Sequence, residues 1–279
     1  MSGPLFTVVI PTFHRNDLLA RCLERLAPGV QQMKDYEVIV TDDGRETTAR
    51  EMLADRFPWA VWTAAPGRGP AANRNNGAKL ARGEWLVFTD DDCIPDAGWL
   101  TGFQAAEAEN PGCRVFEGQI YADRPKRSLD EIAPVNDTGG YLWSCNFAIA
   151  RNLFEEMGGF DERFQTAMED VDLNHRLKKA GHRALFVPSA KVCHPWRARG
   201  RGRDGWKHAG NYSNDTLRYL EIHPEERANL SAGHFLRGTL RAFCKETLPG
   251  VFKFRGRGIR GALFFHAEAL RLAFRLLRC

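Results

Sequence analysis

The chain contains no run of about 18 apolar residues, so the sequence predicts no membrane-crossing helix. Its start, "MSGPLFTVVIP", has no basic stretch ahead of an apolar one, and no secretory leader is expected. The seven cysteines, at positions 22, 93, 113, 145, 193, 244 and 279, are odd in number and scattered. None sits in CxxC spacing, which argues against a disulfide framework and a zinc knuckle and for a reducing, cytoplasmic setting. Internal repeats and low-complexity tracts are also missing. What remains is ordinary for a globular protein of 279 residues: 43% hydrophobic and 27% charged. That length fits one large domain, or a domain with an appendage.

The net charge of +4 hides an uneven distribution. Residues 191–279 carry 18 Lys and Arg against 7 Asp and Glu, a balance of +11, which leaves −7 on residues 1–190. An acidic body suits a cation or sugar, and a basic tail suits an anionic partner or simply a solvated surface.

Hydrophobic periodicity alternates along the first half. "LFTVVI" (5–10), "YEVIVT" (36–41), "WAVWTA" (59–64) and "EWLVFT" (84–89) read as strands. Between them, "NDLLARCLERLA", "ETTAREMLADRF" (46–57) and "GPAANRNNGAKLARG" (69–83) read as helices, with Gly83 past the end of the third. Strand–helix alternation with near-continuous apolar strands predicts a Rossmann-like α/β layer with a mainly parallel sheet. Beyond residue 110 the alternation breaks. Strands are expected over 113–121 and 143–151, then a helix and a last strand within 167–195. Helical, basic sequence follows from about 205, after the Arg/Gly-rich "RARGRGRDG" (197–205).

In such sheets ligands sit at the carboxyl ends of the strands. Three predicted strand ends carry special residues: "PTFHR" (11–15), "DDG" (42–44) and "DDDC" (90–93). Three adjacent carboxylates repel by roughly 3–4 kcal/mol per pair at ~4–5 Å and an effective dielectric of ~20. Solvation, a shared proton or a cation must relieve that repulsion. Further on, the helix near Met168 places Asp170, Leu173, Leu177 and Ala180 on one stripe, expected to be buried. Glu169, Asp172, Arg176 and Lys179 fall on another, expected to be solvated. Asp170 therefore points inward, unless it is an exposed first-turn acid favoured by the helix dipole. His194, just past the last strand, is either a capping residue or a nitrogen ligand beside the aspartates.

The ordered set "VVIPTF", "VTDDG", "RNNGAKLARGEWLVFTDDD", "CNFAIAR", "GGFDERF", "MEDVDLNHRLKKAGHR" and "VCHP" resembles the inverting family 2 glycosyltransferases of the GT-A fold, over roughly residues 5–195. The resemblance implies a GT-A domain over 1–204, with a mixed, mainly parallel sheet and flanking helices, followed by a basic helical C-terminal extension over 205–279. It implies that Pro11 and Thr12 line a nucleotide pocket and that Asp43 bonds the base. Arg74 and Asn75 would lie beside the nucleotide, with Arg68 a rival. Asp90 and Asp92 form the DxD pair. Asp90 and Asp91 would face the nucleotide sugar, while Asp92, Asp90 and His194 would hold Mn²⁺ or Mg²⁺. Asp170 matches the catalytic base. Phe13-His14 and Arg45 depart from the usual Tyr-Asn and Ser, which leaves the donor base open. With no QxxRW motif, a processive synthase is not expected.

The implied activity is non-processive transfer of a sugar from a nucleoside-diphosphate donor to a glycan or lipid-linked acceptor, in cell-envelope polysaccharide assembly. A catalytically silent nucleotide-sugar-binding protein of the same fold is the alternative. Loops 122–142 and 197–215 are expected to set acceptor choice. The tail "RGALFFHAEALRLAFRLLRC" (260–279) aligns Leu263, Ala267, Leu270, Phe274 and Leu277 on one stripe and Arg271, Arg275 and Arg278 on another. Such a helix covers a core or partner subunit with a solvated basic face, the reading preferred here, or makes peripheral contact with an anionic membrane. Nucleic acid is not expected as a partner, since the tail lacks the usual interleaved aromatics.

Overall fold

The computed structural model describes residues 3–46, 48–198 and 202–278; side chains of 202–208 are not among those described. Arg199, Gly200 and Arg201 of the Arg/Gly-rich segment lie outside the described residues. The chain divides into two compact units.

The first unit comprises Met1–Asp123, Pro134–Gln165 and Glu169–Pro195. Its elements are β1 (Phe6–Thr12), α1 (Asn16–Arg25), β2 (Tyr36–Asp42), α2 (Arg50–Arg56), β3 (Val61–Ala64), α3 (Pro70–Leu80), β4 (Trp85–Phe88), β5 (Ile94–Pro95), α4 (Trp99–Glu109) and β6 (Val115–Ala122). After β7 (Glu131–Ile132), which belongs to the second unit, come β8 (Phe147–Ala150), α5 (Arg151–Glu156), α6 (Glu169–Lys179) and β9 (Leu185–His194). The eight-stranded sheet runs β3-β2-β1-β4-β8-β6-β9-β5. Strands β3, β2, β1 and β4 are mutually parallel, whereas β8 opposes both β4 and β6. The chain leaves β1 toward β2 and β3, then returns to the other side of β1 with β4. This reversal puts the switch in strand order at β1 and β4, and sheets of this kind take ligands at the carboxyl ends of such strands.

Strand β1 shows why the sheet is covered on both faces. Val8 and Ile10 pack in one cluster with Leu19 and Leu23 of α1, while Val9 packs in another with Ala71 of α3. Each fully buried branched side chain contributes roughly 1.5–3 kcal/mol. On the second face Phe88, Phe147, Phe154 and Phe160 form an aromatic group with ring centroids 5.0–6.3 Å apart. Helix α3 lies close to the sheet because Gly77 has no side chain; a Cβ there would stand 2.6 Å from Val9 Cγ1.

Some elements differ from expectation. Helix α3 ends at Leu80, and Gly83 does not cap it: a Cβ at Gly83 would lie 2.5 Å from the Thr7 nitrogen, so its role is a close approach to β1. The strand expected over 143–151 is confined to β8, and α5 follows at once. On α6, Glu169 and Asp172 are buried rather than solvated, and Ala180 beyond it is exposed. Charge pairing explains the first two. Asp172 accepts from Arg176 at 2.8 Å and Glu169 accepts from Arg74 at 2.9 Å.

The second unit comprises Arg124–Ala133, Thr166–Met168 and Trp196–Cys279. It contains a small antiparallel pairing of β7 with β10 (Arg197–Ala198). The rest is helical: α7 (Gly202–Ile222), a 3₁₀ turn at Pro224–Arg227, α8 (Ala232–Ala242), a π-helical turn at Phe243–Thr247, α9 (Leu248–Lys253) and α10 (Ile259–Leu276). The 124–133 segment belongs to this unit because Leu129 and Asp130 pack against Gly250, Gly258 and Gly261, where no larger residue fits. On α10 the expected core-facing stripe is reversed. Leu263, Ala267, Leu270, Phe274 and Leu277 are exposed, and Gly261, Ala262, His266, Leu272 and Ala273 are buried. The small residues let α10 pack closely, and the bulky stripe is left outside. No helix among the described residues is long and apolar enough to cross a membrane.

Candidate active site

The three strand ends divide by role. In "DDG", Asp42 is a structural pin: Oδ1 accepts from the Gly44 nitrogen, and Oδ2 accepts from the Ala49 nitrogen and from Trp62 Nε1. Asp43, half-buried, accepts the Gly67 N–H at 2.7 Å, and burial raises its pKa. Pro11 and Thr12 are buried at the end of β1, beside Thr41 and Asp42.

After β4 the chain presents Asp90, Asp91 and Asp92 in different surroundings. Asp91 has no exposed surface. It accepts from Thr12 Oγ1 at 2.7 Å and pairs with Arg15 at 2.7 Å, and burial pushes its pKa up to about 7. In this arrangement Asp91 anchors the turn to β1. Arg15 also reaches Asp92 Oδ2 at 3.3 Å. Arg15, its side chain 40% exposed, is thus a built-in counter-charge to two of the three acids. The sequence pattern alone assigns Arg15 no role; the signal for it is a cation in "PTFHR", at a strand end beside an acidic one.

Asp92 and His194 meet at the end of β9, with Asp92 Oδ1 3.5 Å from His194 Nε2. The other ring nitrogen, Nδ1, lies 3.0 Å from the Pro195 carbonyl oxygen. A carbonyl can only accept, so Nδ1 carries the proton in the neutral ring and Nε2 turns its lone pair toward the carboxylate. His194 is buried, and Nε2 makes no hydrogen bond. Two acceptors facing each other out of water suit a cation between them. Cys93 lies in the same group. Burial and the neighbouring Cys145 hold its pKa well above the usual thiol value, and sulfur suits softer metals than the oxygen-preferring Mn²⁺ or Mg²⁺. An oxygen-and-imidazole set of Asp92 and His194 matches the chemistry of Mn²⁺ or Mg²⁺, while Asp90, two residues earlier, is paired with Arg74.

Arg74 on α3 joins two sets of acids. Its Nη2 donates to Asp90 Oδ1 at 2.6 Å and its Nη1 to Glu169 Oε1 at 2.9 Å. Burial works against the Arg74 charge, but Asp90 and Glu169 outweigh it and hold its pKa above the usual guanidinium value. Asn75, by contrast, is occupied with local structure. Its amide donates to the Phe160 carbonyl and Glu162 and accepts the Phe160 N–H. It pins the "GGF" turn, where Gly159 has φ 72° and a Cβ would strike Asn75. Arg68 is the more exposed of the two arginines and pairs with Glu162 at 2.8 Å.

Asp170 opens α6 beside Glu169. It is partly exposed; Oδ2 accepts the Ser144 N–H at 3.1 Å and Oδ1 accepts the Val171 N–H at 2.8 Å. Burial raises its pKa, against the opposing pull of the Ser144 amide and Arg74. Glu169 is raised too, first by burial and then by Asp170. The sequence reading put Glu169 on the solvated stripe and missed it as Arg74's partner. The site therefore brings together Thr12, Arg15 and Asp90–Asp92 with His194, and, through Arg74, Glu169 and Asp170. Arg68 and Asn75 belong to the Phe160–Glu162 turn.

A half-parallel α/β sheet flanked by helices, with acids at its switch point, is an architecture of the GT-A kind. The family model described as "Glycosyl transferase family 2" matches residues 7–171, and the chain belongs to that family. Among its relatives, the N-acetylglucosaminyl-diphospho-decaprenol L-rhamnosyltransferase of Mycobacterium tuberculosis is 38% identical, over 76% of this chain and 83% of that protein. The pre-mycofactocin glycosyltransferase of the same species is 31% identical, over 82% of this chain and 51% of its own length. The chain thus spans about half the length of the first curated relatives it matches. Among solved structures, a mannosyltransferase from Pyrobaculum calidifontis in complex with GDP-Man and Mn²⁺ covers 99% of this chain and 87% of its own. Its TM-score is 0.60 at 20% identity, which establishes the shared GT-A fold.

Proposed function

We propose that the protein is a metal-dependent, inverting glycosyltransferase that moves a sugar from a nucleoside-diphosphate donor to a hydroxyl group on a glycan or lipid-linked acceptor. The observation that carries this reading is the Arg74 bridge, which ties the Asp90 end of one acid cluster to Glu169, the neighbour of Asp170, at 2.6 and 2.9 Å. Two separated acidic functions then face one crevice. Asp92, His194 and Asp90 would hold a divalent ion, which when bound would supply Lewis-acid stabilisation of charge on a leaving diphosphate. Pro11, Thr12 and Asp43 line the nucleotide side.

Asp170 takes the proton. The acceptor oxygen attacks the anomeric carbon from the face opposite the diphosphate, its proton passes to the Asp170 carboxylate, and the carbon–oxygen bond to the diphosphate breaks. One displacement inverts the anomeric centre. The Ser144 and Val171 amides fix the carboxylate, while burial makes it more basic than a solvated aspartate. UDP and GDP-Man occupy solved structures of the same fold. The rhamnosyltransferase relative, by its name, acts on a lipid diphosphate sugar, which supports a lipid-linked acceptor in cell-envelope assembly.

The test is a panel of uridine, guanosine and thymidine diphosphate sugars with Mn²⁺ or Mg²⁺, scored by release of nucleoside diphosphate and transfer of the sugar to acceptor. Turnover with one donor, lost in chelator, is expected. Binding without turnover across the acceptor panel would instead favour the catalytically silent reading, and near-full turnover by Asp170→Asn would remove Asp170 from its role.

A further inference from the structure

The helical unit carries an apolar surface out of proportion to its size. Among the described residues, nine of the seventeen exposed large apolar side chains fall within residues 232–278. Phe252 on α9 is 85% exposed and Leu240 on α8 64%; Phe274 and Leu277 on α10 are 62% and 66% exposed. Leu263, Leu270, Phe274 and Leu277 are spaced by seven, four and three residues, which keeps them on one stripe of α10. The stripe continues into a cavity of about 360 Å³, whose walls include Leu217, Leu220, Leu230 and Leu276, with Leu277 common to both. Water is a poor neighbour for such a surface, and patches of this kind mark interaction sites.

Charge identifies the occupant. Residues 232–278 contain ten Lys and Arg against two acids, Glu246 and Glu268. Glu268 is buried, so the exposed charge is almost wholly positive. Arg260 and Arg271 stand one column round α10 from the apolar stripe, three residues from Leu263 and Phe274, and Arg278 follows just past the helix end. A second copy of the same surface would bring two strongly positive faces together. Nucleic acid would answer the charge but leave the phenylalanines and leucines in water. An anionic bilayer answers both, taking the apolar stripe below its headgroups and the arginines among its phosphates. From this combination we propose that the outer faces of α8, α9 and α10 dock in the plane of an anionic lipid membrane, independently of the transferase reading.

The full-length protein, mixed with vesicles of equal parts phosphatidylcholine and phosphatidylglycerol, should float with them. It should stay behind with phosphatidylcholine alone. A Phe252→Ser, Phe274→Ser, Leu277→Ser variant should bind the anionic vesicles at least about tenfold more weakly, with unchanged circular dichroism. Should that variant fail to fold, Arg271→Glu, Arg278→Glu replaces it, with the same loss expected. Absence of wild-type flotation overturns the proposal, as does full binding by either folded variant. A wild-type dimer by light scattering that the serine variant converts to monomer also overturns it, in favour of self-association.

Discussion

Arg74 illustrates how much of the site rests on single side chains. It is 5% exposed and stands between Asp90 and Glu169. Replacing it with methionine keeps most of the volume but leaves two acids without their shared cation. Losing one partner of a buried ion pair costs about 3–5 kcal/mol, and the lower end applies here because Glu169, already raised in pKa, can take up a proton. Urea unfolding of Arg74→Met should show that loss at neutral pH and a smaller one in mild acid; an unmoved midpoint would mean the bridge is dispensable. For Asp170 the expectation is kinetic. A base works only when deprotonated, and burial raises this carboxyl's pKa above the ordinary value of about 3.9. Activity should therefore fall away on the acid side at a higher pH than a solvated aspartate would give. Asp170→Asn should lower kcat by roughly 10²–10⁴-fold and remove that acid limb, with nucleotide affinity little changed.

Elements hold these residues in place, and close approach is what makes the α3–β1 contact work. A Cβ at Gly77 would meet Val9 Cγ1 at 2.6 Å and Thr41 Cγ2 at 3.2 Å, both on stiff β-branched side chains. Gly77→Ala should thus lower stability by about 1–3 kcal/mol, read by thermal or urea unfolding, although alanine favours helix; a stabilised variant would show that α3 can shift. The strands of this layer were legible in the sequence because β1, β2 and β4 are buried on both faces and read as plain apolar runs. The acidic strand ends were legible for the same reason, since each terminates such a run. Periodicity failed where charge or small residues do the packing. Glu169 and Asp172 looked solvated because no sequence pattern shows that Arg74 and Arg176 neutralise them. Helix α4 went unread: Gly102 and three alanines give little apolar contrast, yet Gly102 packs against the Ser189–Ala190 backbone of β9, where a Cβ would come within 2.8 Å. On α10 the amphipathic pattern was visible, but the larger apolar stripe was assigned inward when the glycine and alanine face is the one that packs.

At the scale of the whole molecule, the decisive property is the sign of the charge that a diphosphate meets. Residues 1–190 carry a net −7, and the site itself gathers Asp90, Asp92 and Asp170, with the wholly buried Asp91, against the guanidinium groups of Arg15 and Arg74. Both arginines are already committed to those acids, so an incoming nucleoside diphosphate finds little uncompensated positive charge. A dication held by Asp92 and His194 changes that balance by two units at the point where the diphosphate would lie. Metal and nucleotide should therefore bind with strong mutual dependence, each making the other's site favourable. Ligand at a hundred times its dissociation constant stabilises by about 2.7 kcal/mol, which for a unit of this size raises Tm by roughly 5–10 °C. Mn²⁺ alone or the matching nucleoside diphosphate alone should move the midpoint little, and the two together should give most of that shift. His194→Ala should weaken the joint effect while leaving the nucleotide-alone baseline where it was. An equal shift with nucleotide in the presence of EDTA would show that the protein's own arginines suffice, and the metal would lose its place in the site.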